Sequence, residues 1–166
     1  MDITGGTLRE REIADGAEQD EGGKGVAALS SPQRGRGRWV YLLEDDPAIA
    51  GVYAMGLEVA GFNVAVWNDG AGFLAALERQ VPDIVVLDWQ LPGLHGDEVL
   101  FQMRLDPRTV ATPAFILSNF PAQKDGAIDR VFAAGALAWL EKVKTPPPLL
   151  AEKLLEALDR RREVAG

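Results

Sequence analysis

A doubly wound α/β domain built on five parallel strands is predicted from the way two kinds of segment alternate. Five short apolar runs recur between residues 39 and 141, and between them apolar residues repeat at helical spacing. Strands alternating with helices form a parallel sheet, because right-handed crossovers place the helices on its two faces. Acids end two of the runs, Glu44-Asp45-Asp46 the first and Asp88 the third, which puts candidate chemistry at one edge of the sheet.

The first strand is read at 39–43, followed by a helix marked by Ile49, Val52, Tyr53 and Leu57, with Asp46 as N-cap and Pro47 at its first position. A strand at 62–67 precedes a helix carrying Phe73, Leu74 and Leu77. The run at 83–87 leads to Val99, Leu100 and Met103, and the run at 113–117 to Ile128, Val131 and Phe132, in a helix near 122–134. After a fifth strand at 137–141, a last helix near 147–162 begins within Pro146-Pro147-Pro148 and ends in Arg160-Arg161-Arg162, cations at the end where the helix dipole favours them. The strand order expected for a small domain of this kind is 2-1-3-4-5. It makes the first and third strands neighbours at the topological switch point, where ligands bind at carboxyl ends.

The 166 residues and 47% hydrophobic content suit one domain with a real core. Without cysteine there is no disulfide framework, thiolate metal site or cysteine nucleophile. A net charge of −8 argues against a nucleic-acid surface, which needs clustered cations. No apolar stretch reaches the length of a membrane span or a leader, so a cytoplasmic protein with no membrane partner is expected. Residues 1–38 hold 8 of the 18 glycines, with seven acids and six bases and no sustained apolar period, and read as a disordered N-terminal arm. Arg34-Gly-Arg-Gly-Arg38 is read as a solvated linker. The folded domain is placed at 39–163, with a tail at 164–166.

Asp88 leaves the buried-type run Ile84-Val85-Val86-Leu87 for a loop shaped by Pro92, Gly93 and Gly96. Carboxylates crowded within about 4 Å repel by roughly 1 to 4 kcal/mol at effective dielectrics of 80 to 20, which a cation relieves. Ser118 follows the fourth strand and Lys142 the fifth, so an acid run, a lone aspartate, a hydroxyl and a lysine end four strands. With Leu42-Leu-Glu-Asp-Asp-Pro47, Val86-Leu-Asp-Trp-Gln-Leu-Pro-Gly93, Ser118, Gly135-Ala136 and Lys142, the chain resembles the receiver domain of two-component response regulators from about Trp39 to the last helix.

The resemblance implies a flavodoxin-like (βα)5 fold, with Asp88 as phosphoacceptor and Mg²⁺ as cofactor. Asp45 and Asp88 would be direct metal ligands, the Gln90 carbonyl a third, and Glu44 a ligand through water. Ser118 and Lys142 would contact the phosphoryl group, and Ser118 and Trp139 would act as switch residues. The implied partners are a histidine kinase or phosphotransfer protein and a downstream target on the helix 4/strand 5/helix 5 face. Chemistry would be limited to Mg²⁺-dependent self-phosphorylation and self-dephosphorylation in a stand-alone receiver.

This sequence departs from the family in three places. Val143 follows Lys142 where proline is usual, and a cis bond there would cost roughly 3 to 4 kcal/mol, so a trans loop is expected. Phe120 is bulky where it could shield the phosphoryl group, and Trp139 replaces Tyr or Phe; together the three suggest a slow or incomplete switch. His95 is expected to be exposed and passive. The alternative function is a pseudo-receiver that binds partners without phosphorylation. A phosphatase of the haloacid dehalogenase type fits less well, since neither acid segment has the Asp-x-Asp spacing, and no Gly-rich loop supports nucleotide binding.

Overall fold

The computed structural model describes residues 35–122 and 126–166; of the expected arm, residues 1–34 lie outside the described residues. The elements run β1 (Trp39–Leu43), α1 (Pro47–Val59), β2 (Asn63–Trp67), α2 (Gly70–Arg79), β3 (Ile84–Asp88), α3 (Gly96–Leu105), β4 (Ala114–Ser118), α4 (Ala127–Ala133), β5 (Ala138–Glu141), a 3-10 turn (Lys142–Lys144) and α5 (Pro147–Ala165). The strands form one sheet in the order β2-β1-β3-β4-β5, and every pairing is parallel. This is the predicted flavodoxin-like (βα)5 architecture.

Alternation along each strand sends successive side chains to opposite faces, and both faces are covered, which is why the strands read as nearly unbroken apolar runs. Val40, Leu42, Ile84, Val86 and Leu117 pack with Tyr53 and Leu57 of α1 and with Leu150, Leu154 and Leu155 of α5. Tyr41, Leu43, Val85, Leu87 and Ile116 pack with Phe73, Leu77, Val99, Leu100, Met103 and Val131 from α2, α3 and α4. Two of the residues that marked the helices, Val52 and Phe132, face solvent instead. In α1 the buried stripe runs through Ala50, Tyr53 and Leu57, which leaves Val52 outside it.

Several boundaries differ from the expected ones, and the fourth helix, expected near 122–134, runs as α4 from Ala127 to Ala133, with residues 123–125 outside the described ones. Asp88 pairs with Leu117, and Ser118 with Glu141, so both polar residues are the last of their strands rather than the first of their loops. At the N-terminal side the ordered domain includes residues assigned to the arm, since Arg38 Nη2 donates to Asp159 Oδ1 at 3.1 Å and Gly35 sits against the backbone of Ala60 to Phe62. Of residues 164–166, expected as a tail, the first two are helical. With no breaker before Gly166, α5 continues through Val164 to Ala165. Among the described residues, no helix is long and apolar enough to cross a membrane.

Caps and pins fix the loops. Asp46 Oδ1 accepts from the backbone N–H groups of Ala48 and Ile49 at 2.8 and 3.1 Å, with Pro47 at the first position, as the sequence suggested. Arg104, on α3, donates to the carbonyl oxygens of Ala134 and Thr112 at 2.8 and 2.9 Å, and more weakly to those of Thr109 and Gly135. One guanidinium thereby ties α3 to the segments on either side of β4 and α4. Arg104→Met keeps the stem but frees these carbonyls; at about 1.5–3 kcal/mol for a charged hydrogen bond, it is expected to cost 2–4 kcal/mol, read as a lower urea midpoint.

Candidate functional site

The carboxyl ends of β1 and β3 are neighbours, and the acids meet there. Glu44, Asp45 and Asp88 each offer an oxygen within 4.8 Å of the others. Glu44 and Asp88 are 2% and 4% exposed, whereas Asp45 opens to solvent. Lys142, whose side chain is 7% exposed, enters from the turn after β5, its Nζ lying 2.5 Å from Glu44 Oε2 and 3.2 Å from Asp88 Oδ2. The contact with Glu44 is an ion pair without the alignment of a hydrogen bond, so Oε2 and Nζ keep unused bonding capacity in a buried setting.

Burial pushes the Asp88 carboxyl up from 3.8 to about 6, the charge of Glu44 adds to the rise, and Lys142 and the Gln90 N–H oppose it. The two buried acids thus outweigh their one lysine. Asp88 Oδ1 accepts from Gln90 N at 3.2 Å, and Glu44 Oε1 from Asp46 N at 3.2 Å. Hard oxygen donors, an excess of negative charge and an orphaned Glu44 oxygen suit a hard divalent cation such as Mg²⁺. The cluster is a group to which such a cation could bind.

Lys142 is aimed without a proline. Among the described residues no peptide bond is cis, so the Lys142–Val143 bond is trans as expected. The segment is instead clamped by Tyr53, whose buried hydroxyl donates to the carbonyl of Thr145 at 2.9 Å and approaches that of Lys142 at 3.3 Å. Burial first, and then the Glu44 charge, raise the Tyr53 pKa and keep its proton in place to donate. Helical periodicity assigned Tyr53 only to packing; nothing in the sequence ties its hydroxyl to a loop ninety residues away.

Ser118 is fully buried, and its Oγ accepts from Phe120 N at 3.1 Å. The carbonyl of Phe120 accepts from Trp139 Nε1 at 3.0 Å, so the backbone of one residue joins the hydroxyl to the indole. Phe120, expected to act as a shield, has a half-exposed ring and meets Ser118 and Trp139 through its backbone. Trp139 also contacts Trp89, the residue after Asp88, with ring centroids 5.0 Å apart. His95 is exposed as expected and opens α3, its N–H donating to Glu98 Oε2 at 2.8 Å.

The loop after Asp88 is shaped by two glycines. Gly93 has φ +83°, and a Cβ on Gly96 would lie 2.4 Å from the Asp88 carbonyl oxygen. Gly96 N donates to Trp89 O at 3.0 Å, which folds the loop back onto the strand end. Gly96→Ala is expected to cost about 1–3 kcal/mol through this clash with backbone; an unchanged urea midpoint would show that the strand end can yield.

A sheet in this order, with an acid cluster and a buried lysine at its switch point, defines a signalling receiver. Residues 40–154 match the response regulator receiver domain, and the chain belongs to that family. It is similar to the probable transcriptional regulatory protein TcrX of Mycobacterium tuberculosis, at 35% identity over 127 residues, covering 75% of this chain and 51% of that one. Among solved structures it is similar to the CheY-like receiver domain protein of Methanospirillum hungatei, with TM-score 0.68, 25% identity, and coverage of 76% of this chain and 97% of that one. A response regulator from Chloroflexus aurantiacus gives TM-score 0.62 at 28% identity, over 72% and 98% of the two chains. The chain spans about half the length of the curated relatives it matches. Family and acidic cluster together mark the carboxyl edge as a phosphoacceptor site.

Proposed function

We propose that Asp88 accepts a phosphoryl group from the phosphohistidine of a histidine kinase or phosphotransfer protein, and that this modification switches a protein-binding face. The observation that carries the reading is the buried Asp88 carboxylate, paired with Lys142 and grouped with Glu44 and Asp45 at the end of a central strand. An Asp88 oxygen forms the new P–O bond as the donor's P–N bond breaks and the imidazole leaves. With its carboxyl near 6, Asp88 is mostly ionised at neutral pH and able to attack.

Glu44, Asp45 and Asp88, with the Gln90 carbonyl, would hold Mg²⁺, Glu44 through a water. When bound, the ion supplies positive charge against the phosphoryl oxygens. Lys142 can exchange its pairing with Glu44 and Asp88 for the phosphoryl group, and Ser118 can donate its hydroxyl proton to it. Movement of Ser118 would pull on the Phe120 peptide and so on the hydrogen bond that holds Trp139. The relay reaches β5, and through it the α4/β5/α5 face proposed for a downstream target.

Incubation with a small acyl or amido phosphate and Mg²⁺ tests this. One alkali- and hydroxylamine-labile phosphoryl group is expected on the wild type and none on Asp88→Asn; an unlabelled wild type would instead favour a pseudo-receiver. Decay of that label over minutes or longer is expected from Phe120, Trp139 and Val143, and decay within seconds would contradict a slow switch.

A further inference from the structure

A cavity of about 1100 Å³ opens at the end of the sheet opposite the acid cluster, among the start of β5 and the C-terminal ends of α3, α4 and α5. Phe101, Val110, Leu137 and Val164 leave large apolar surface open along it. A second cavity of about 400 Å³ shares Ala111, Thr112, Arg161 and Ala165 with the first and extends to Arg38, where the chain enters β1. The two form one groove along the N-terminal edge of the sheet.

Its charge is opposite to that of the whole chain, which carries −8. Arg38, Arg108, Lys153, Arg160, Arg161 and Arg162 line it, against the acids Asp83 and Glu156. Arg38, Arg108 and Arg160 have carboxylate partners in Asp159, Asp106 and Glu156. Among the described residues no ion pair engages Lys153, Arg161 or Arg162, although burial and Arg161 together lower the pKa of the nearby Arg104 guanidinium. An apolar trough with unpaired cations on its rim fits an acidic segment that also carries apolar side chains.

We propose that the occupant is this chain's own segment Glu10–Glu21, docked on the groove in cis. That segment holds six acids against one base, Arg11, together with Ile13, and Val26 to Leu29 add apolar side chains beyond it. Thirteen residues lie between Glu21 and Gly35, a span of about 45 Å when extended and about 20 Å on average for a flexible chain. A domain of this size has a radius of gyration of about 14 Å, so the groove is within reach. Attachment beside the groove gives the segment an effective concentration in the millimolar range, at which weak ionic contacts suffice. Docked there, it covers the lower part of the α5 and β5 surface and competes with whatever binds that face.

Because the sequence has no cysteine, Gln19→Cys offers a single attachment point for a nitroxide label on the full chain. In low salt, the amide signals of Ala111, Leu137, Ala157 and Arg161 are expected to broaden at least about twofold more than those of Val52 and Met55 on α1. The difference should vanish in 1 M salt, where the screening length is about 3 Å, and in Arg161→Glu/Arg162→Glu, whose positions are exposed. Equal broadening of the two faces, or insensitivity to both salt and charge reversal, would overturn the proposal. So would broadening that appears in isotope-labelled wild type when nitroxide-carrying protein is mixed with it, since that assigns the contact to a second copy.

Discussion

Asp88→Asn is expected to leave the metal-free protein about 3 kcal/mol more stable than the wild type near pH 7, while removing all phosphoryl labelling. The sign follows from burial. The Asp88 carboxyl titrates near 6 in the fold against 3.8 in the unfolded chain. Between those values the native state binds more protons, so stability falls as pH rises, and the penalty is complete above about 6. At about 1.4 kcal/mol for each tenfold change in proton affinity, the gap amounts to about 3 kcal/mol. The advantage of the variant should shrink towards zero below about pH 4. Paired urea titrations across this range check it; a variant less stable than wild type at neutral pH would show that the carboxylate is a net support. Millimolar Mg²⁺ should narrow the difference, because only the wild type keeps all three carboxylates.

Removing the cation has the opposite effect. Lys142→Met leaves Glu44 and Asp88 buried without their shared partner, and breaking a buried pair in this way costs about 3–5 kcal/mol. The loss should be largest at high pH and ease as pH falls and Asp88 takes up a proton, which without Lys142 happens above the value near 6 that the carboxyl has beside the lysine. Mg²⁺ is expected to raise the melting temperature of this variant more than that of the wild type. Phosphoryl labelling should fall by at least about tenfold even where the variant is folded. Lys142→Arg, which retains the charge, separates the electrostatic part from the loss of fit.

The sheet was legible in the sequence because its central strands β1, β3 and β4 are buried almost throughout and so read as short apolar runs, whereas the edge strands β2 and β5, partly open, were found from their place between helices. The acid cluster was legible for a related reason: in a parallel α/β sheet, the residue that follows such a run lands at the ligand-binding edge. Glu44 shows where that reasoning stopped. Its place beside the metal was read as an indirect one, yet it is also the nearer partner of Lys142, a contact between residues 98 positions apart that no spacing rule contains. The hydroxyl of Tyr53 and the peptide of Phe120 were hidden likewise, since helical periodicity reports which face is buried and says nothing of what a polar tip reaches. Val52 and Phe132 were misleading as core markers because an apolar residue one step outside the buried stripe fits the same period.

The contact between Trp89 and Trp139 gives the molecule an optical signature of its own. Two indoles 5.0 Å apart and inclined at 50° form a coupled chromophore pair in the near ultraviolet. One is bonded in sequence to Asp88 and the other is tethered through Phe120 to Ser118, so the two rings report on opposite ends of the proposed relay. Any rotation of Trp139 would change the sign or size of their circular dichroism band and the quenching of their fluorescence, making the wild-type chain its own unlabelled sensor of the event at Asp88.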